Sequence, residues 1–244
     1  MIYLVPIFAA VAFIYSSAGL GGASAYLAML ALFHVSYQNI PSTALACNII
    51  VTAGVVYHFW RAGHVRPRLI LPFIITSIPM TFVGAGIKIS EPVFYKLLAA
   101  VLIFAAVKTF FFKRDAQRHV VSGSKVTFIY APLVGALLGT LAGMIGIGGG
   151  LFLLPVVLLL GWGNAKEAAA TAGSFTLVNS VSGLVAHGVG GEIDWMFILP
   201  LACAVLVGGQ IGAHCGARRF SPSVVQKIFA VILLGVAVRL LVSH

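Results

Sequence analysis

The sequence predicts an all-α polytopic membrane protein made of two inverted repeats, each a broken or re-entrant helical hairpin plus three transmembrane helices. Three observations predict it. The 244 residues are 61% hydrophobic and only 8% charged, with a mean hydropathy of +1.09, a composition far from that of soluble domains. Stretches without Asp, Glu, Lys or Arg recur from end to end, and about 18 apolar residues suffice for a membrane helix. The sequence GLGG at 19–22 returns as GIGG at 146–149, each time inside a stretch too long for one straight crossing.

The first charge-free stretch is 2–33. As one helix, its 32 residues would run about 48 Å through a hydrocarbon core about 30 Å thick. It has no positively charged start and more apolar stretches follow, so it reads as part of the mature core rather than a leader. Residues 42–60 and 69–87 are charge-free, and 92–112 is charged only toward its ends. The polar segment KRDAQRHVVSGSK at 113–125 separates this half from a second long stretch, 126–160, followed by 168–186, 195–217 and 222–242. The organisation is therefore a first membrane repeat over 1–112, a cytoplasmic linker over 113–125 and a second membrane repeat over 126–244.

The duplication extends beyond the glycines. At a spacing near 128, Ser42-Thr43-Ala44 faces Ala170-Thr171-Ala172, Gly54 and His58 face Gly183 and His187, Pro72 faces Pro200, and Gly84 faces Gly212. The relative orientation of the halves follows from the distribution of basic residues, which favour the cytoplasmic side. If each long stretch crosses once, nine Lys and Arg lie inside and six outside. If each dips in and returns, Arg61, Arg66, Arg68, Lys108, Lys113, Arg114, Arg118, Lys125, Lys166, Arg218, Arg219 and Lys227 lie inside, leaving Lys88, Lys96 and Arg239 outside. The second split is far more one-sided. It makes the halves opposite in orientation with both termini outside, an arrangement found in secondary transporters. Because 23–33 and 150–160 are too short to span, the hairpins are expected to meet near the midplane, where non-helical backbone is tolerated only against protein or a wet cavity.

Net charge +10 does not point to nucleic acid. The basic residues sit in short connections, with no aromatic-interleaved face to track a phosphate backbone. Cys47, Cys203 and Cys215 lie in apolar segments without metal-ligand spacing and read as small packing residues. No cofactor or metal is expected. Neither HExxH nor GxSxG is present, and no nucleophile, base or metal constellation suggests an enzyme. The glycine motifs do not follow a strand in a βαβ unit, so a nucleotide-binding loop is excluded.

What the breaks can do follows from helix ends. The first N–H groups of a helix have no intrahelical partner and, with the helix dipole, make an anion site. Two breaks would present two such sets to one small anion. The expected substrate-binding residues are Gly19, Gly21, Gly22 and Ser24 at the first break, and Gly146, Gly148, Gly149 and Gly150 at the second. The following segments add Thr43 and Asn48, and Thr171, Ser174 and Asn179. The same segments carry Thr52, Thr176, Ser180 and Ser182, although hydroxyls in hydrocarbon commonly bond their own helix or a neighbour. Around Gly208 and Gly212 the chain has a small-residue face read as a helix contact. No Asp, Glu, Lys or Arg lies deep in a span, so any coupling would use histidine, the substrate's own proton or a potential.

The paired motifs GLGG and GIGGG, each followed by an apolar run, then STALA at 42–46 and AATAG at 169–173, resemble those of the sulfite exporter TauE/SafE family of bacterial membrane permeases. The resemblance covers essentially the whole chain. It implies a multi-pass transporter of the bacterial inner membrane that moves a small sulfur-containing anion, such as sulfite or an organosulfonate. With the duplicated broken helices, it implies alternating access. The alternatives are an anion channel with the same Gly-rich centre and an importer of thiosulfate-like compounds. The expected partners are the small anion and the lipid bilayer, with a homo-oligomer left open.

Overall fold

The computed structural model describes residues 3–17, 20–87, 89–111, 125–190, 193–218 and 223–243. Within them the chain is helical: α1 (Leu4–Ser17), α2 (Ala23–Leu32), α3 (Asn39–Arg61), α4 (Pro67–Gly86), α5 (Glu91–Phe111), α6 (Lys125–Ile145), α7 (Gly150–Leu159), α8 (Ala165–Gly190), α9 (Trp195–Arg218) and α10 (Ser223–Ser243). Both long apolar stretches are broken at the glycines. Gly22 and Gly149, which directly precede α2 and α7, have φ of 85° and 81°, a left-handed conformation that glycine adopts without steric cost and that interrupts a right-handed helix. Gly19 and the linker residues 113–124 lie outside the described residues.

The first break is a hairpin. Phe8 of α1 and Tyr26 of α2 stack with ring centroids 4.8 Å apart, whereas a continuous helix would separate residues 18 apart by about 27 Å. Contacts at the helix ends give each element its direction. The start of α4 meets the start of α8 through Arg66 and Glu167, 2.5 Å apart, and Trp162 after α7 packs on Phe73 of α4 at 5.9 Å. At the other end Tyr37, just before α3, meets Phe94 of α5 at 6.3 Å, and His34 after α2 meets Arg239 of α10 at 3.1 Å. So α2 and α7 leave the centre toward opposite ends of the bundle, and α3 runs antiparallel to α8.

Each half packs largely against the other. α4 lies along α6, with Gly135, Gly139 and Gly143 held against the backbones of Phe73, Ser77 and Thr81 so closely that a Cβ would collide. α1 lies along α9 in the corresponding way, Gly208 and Gly212 facing the carbonyls of Ala9 and Phe13. Small residues allow this approach where no water is present to drive association. Hydroxyls join across the first seam: Thr76 donates to the Pro132 carbonyl at 2.6 Å and Thr81 to the Gly139 carbonyl at 3.0 Å.

Polarity is arranged for lipid. On α4, Leu71, Ile75, Ile78 and Phe82 are exposed at helical spacing while Ser77 and Thr81 are fully buried, the reverse of a soluble amphipathic helix. α3, α4, α8 and α9 are long and apolar enough to cross a membrane. The chain is thus an all-helical polytopic membrane protein, as the composition predicts.

Candidate functional site

α3 and α8 cross at the centre, where the Asn48 amide Nδ2 donates to Ser180 Oγ at 3.0 Å. Four residues on, Thr52 donates back to the Asn48 carbonyl at 2.6 Å, which satisfies that hydroxyl within its own helix. The glycines of the breaks lie directly on these side chains. A Cβ at Gly21 would collide with Asn48 Oδ1 and Thr52; one at Gly148 would collide with Asn48, Thr176 and Ser180. Gly148 also has a left-handed φ of 73°, so the second break is held in shape by backbone conformation and by space.

The two half-helices begin differently. In α7, the Gly150 N–H donates to Thr176 Oγ1 at 3.0 Å, a cap supplied by a neighbouring helix. In α2, the Ala25 and Tyr26 N–H groups donate to the Gly22 carbonyl, leaving those of Ala23 and Ser24 without an acceptor among the described residues. Beside this start is a cavity of about 10 Å³, lined by Tyr15, Leu20, Gly21, Gly22, Ala23, Ser24, Asn48, Ile147, Leu151 and Thr176. That is room for about one water.

Among the described residues the buried polar side-chain atoms without partners are Asn48 Oδ1, Tyr26 Oη, Asn179 Nδ2 and His187 Nε2, and the first two lie against Gly21 and Gly22 of the first break. Such groups are costly in a low-dielectric interior and need explaining. Because the Ser180 hydroxyl can donate or accept, turning the Asn48 amide over preserves that bond and points its NH₂ toward Gly21. Among the described residues the centre has no Asp, Glu, Lys or Arg, and no cluster of His, Cys, Asp or Glu could hold a metal ion. It is a small nest of uncharged donors.

The expected site residues separate in space. Gly21, Gly22, Ser24 and Asn48 line the cavity, and Gly148 touches its walls. Gly149 and Gly150 form the start of α7 against Phe175 and Thr176. Gly146 packs on Pro41, and Thr171 back-bonds to the Glu167 carbonyl at 2.8 Å. Thr43 and Ser174 are buried but outside the cavity lining. Asn179 accepts from Ser77 at 2.8 Å, joining α8 to α4. Thr176 and Ser180, which complete the centre, were legible in the repeat: at a spacing of 128 they are the counterparts of Asn48 and Thr52. Tyr15 and Tyr26 had no such signal.

At the Arg66 end, Glu167 is almost fully buried. Its Oε1 pairs with Arg66 and its Oε2 accepts from the Asn164 N–H at 3.0 Å, so one carboxylate joins the halves and caps α8. Near it, His64 is held below the ordinary histidine value of 6.5 by burial and by the Lys166 charge, with Glu167 opposing.

Two broken hairpins around a centre of uncharged donors define a helical membrane protein of the transporter class. Residues 4–240 match the family described as Sulfite exporter TauE/SafE, and the chain belongs to that family. It is 34% identical over 243 residues to the probable membrane transporter protein y4hK of Sinorhizobium fredii, covering 96% of this chain and 95% of that one. It is 26% identical over 218 residues to the probable membrane transporter protein YdhB of Bacillus subtilis, covering 86% of each. A probable membrane transporter protein of Haemophilus influenzae is 22% identical over 231 residues, covering 87% and 85%. No solved structure matches the chain.

Proposed function

We propose that the protein is a secondary transporter carrying a small sulfur-containing anion across the bacterial inner membrane by alternating access between two inverted halves. The family description supports the substrate class. The observation that carries the mechanism is the central layer itself: N–H groups at the start of α2 that have no acceptor among the described residues, beside Asn48, in a cavity walled by both halves. Helix-terminus donors suit an oxyanion, and an anion there would accept from the Ala23 and Ser24 N–H groups. The departure of α2 and α7 toward opposite ends supports the inverted arrangement. The concentration of basic residues at the end with Arg61, Arg66 and Lys166 supports its placement in the cytoplasm.

A cavity with room for about one water is smaller than a sulfur oxyanion, so binding requires the halves to separate on one side. That favours a carrier over an open pore. Gly22 holds the α2 start in place, Ser24, Asn48 and Thr176 complete the donor shell, and Gly21 and Gly148 keep side chains out.

Flux of labelled sulfite, thiosulfate, sulfate and an organosulfonate into liposomes, under imposed pH and voltage gradients, tests it. Saturable flux of a sulfur anion that falls in Gly22→Val is expected. Flux equal to that of empty liposomes for every anion, or unchanged transport in Gly22→Val, rejects it. Ohmic conductance at channel rates would establish a pore instead.

A further inference from the structure

The two half-helices match residue for residue at a spacing of 127: α2 spans Ala23–Leu32 and α7 spans Gly150–Leu159. Their exits match as well. Val35 N–H donates to the Leu30 carbonyl and Trp162 N–H to the Val157 carbonyl, the same turn made twice. The turn requires one residue in the left-handed conformation, normally glycine. After α7 it is Gly161, φ 65°; after α2 it is His34, φ 56° and the one non-glycine residue with positive φ among the described residues. A histidine is therefore kept in a strained conformation where its repeat partner is a glycine. Such outliers cluster where function holds them.

The His34 side chain lines a cavity of about 310 Å³, within the range of roughly 300–1,000 Å³ typical of small-molecule sites. It lies at the end of the bundle away from the Arg66–Glu167 pair, and Tyr37, Glu91, Tyr95 and Arg239 share it. Arginine only donates, so Arg239 Nη2 at 3.1 Å makes His34 Nε2 the acceptor. The ring thereby orients the guanidinium. Arg239 and Glu91 line one cavity with no ion pair between them. A guanidinium and a carboxylate that line one concave space without pairing with each other suit a ligand with one charge of each sign.

We propose that this cavity is a second binding site, separate from the central one, for a small zwitterion. Its carboxylate or other oxyanionic group binds Arg239 and the tyrosine hydroxyls, and its ammonium faces Glu91. An amino acid in solution and the headgroup of phosphatidylethanolamine share this chemistry. The site abuts the C-terminal end of α2, whose other end walls the central cavity.

Isothermal titration of the purified full-length protein with β-alanine, propionate and propylamine tests the proposal. A parallel titration uses nanodiscs of phosphatidylglycerol with and without phosphatidylethanolamine. β-Alanine is expected to bind, with affinity at least about tenfold above propionate and propylamine, since each lacks one charge-assisted contact. Arg239→Gln and Glu91→Gln should each weaken binding by about the same factor while retaining the size-exclusion profile of the parent. If the headgroup is the natural ligand, β-alanine affinity falls in the discs with phosphatidylethanolamine and not in those without it. His34→Gly should raise the melting temperature, because strain is relieved, while weakening binding. Equal affinity for propionate and β-alanine, no binding in either medium, or full affinity in Glu91→Gln overturns the proposal.

Discussion

Asn48 ties α3 to α8 directly beneath both breaks. It is fully buried, bonds across to Ser180 and lies under Gly21 and Gly148. Asn48→Ala should lower transport at least about tenfold, the size expected when a polar contact made to a charged group is lost; proteoliposome flux with matched protein content checks this. Gly148→Ala should be worse than Asn48→Ala for folding, because its Cβ meets three side chains and its φ of 73° disfavours any L side chain; monodisperse yield measures that. His64 predicts a pH dependence. Since burial holds its pKa below 6.5, the folded protein binds fewer protons there than the unfolded chain. Its contribution to stability is therefore full at neutral pH and is lost as pH falls through about 6.5 toward the lower folded value. The loss of melting temperature on acidification should be smaller in His64→Gln than in the parent.

The helices are joined by two kinds of contact with different tolerances. Along the α4–α6 seam the Gly139 Cα faces the Ser77 carbonyl and side chain without space for a side chain. Gly139→Leu should force the helices apart at a cost of about 1–3 kcal/mol, read as a drop in melting temperature. The Arg66–Glu167 pair is asymmetric, the arginine side chain 49% exposed and the glutamate 6%. Removing the carboxylate frees an arginine that water can solvate, whereas removing the arginine strands a buried carboxylate. Arg66→Ala should therefore destabilise by about 2 kcal/mol or more, discounted for the exposed partner, and by more than Glu167→Gln. Equal melting temperatures in the two variants would refute that ordering. At a spacing of 128 the equivalent positions in the other half are Asp194 and Asn39, where Asp194 instead caps α9 through the Phe197 N–H at 3.0 Å. The ion pair between halves is thus present at one end of the bundle and has no counterpart at the equivalent positions.

For the whole molecule, that one-sided ion pair gives a direct test of movement between halves. With Cys47, Cys203 and Cys215 replaced, a reducible bifunctional thiol reagent, whose spacer takes the place of the two long side chains, should bridge Arg66→Cys and Glu167→Cys and stop flux, and reduction should restore it. Continued flux in the bridged protein would mean that this end does not open. Orientation is tested separately: a reporter at Ser243 should be accessible from outside the cell, and a cytoplasmic signal would refute the inverted placement.

The membrane class, the helical character and the two breaks were legible from residue type and spacing, because long charge-free apolar runs satisfy their backbone in hydrocarbon as helices, and a glycine motif repeated inside two runs too long for one crossing marks where each helix stops. The repeat was legible too, and with it the pairing of Asn48 and Thr52 with Thr176 and Ser180. Which polar residues share a space was not. Thr171 bonds its own helix and Asn179 turns to Ser77, while Tyr15 reaches the central cavity. Helical spacing places a side chain on a face but does not say which helix covers that face. The crossing of α3 over α8, the capping of α7 by Thr176 and the open start of α2 come from contacts more than 20 residues apart in the chain. The sequence by itself determined a duplicated, broken-helix membrane protein. Only the packing of one half on the other decided that the first donors of α2, beside Asn48, meet no acceptor among the described residues while those of α7 begin with a bond to Thr176, because that difference depends on which neighbour each helix end meets.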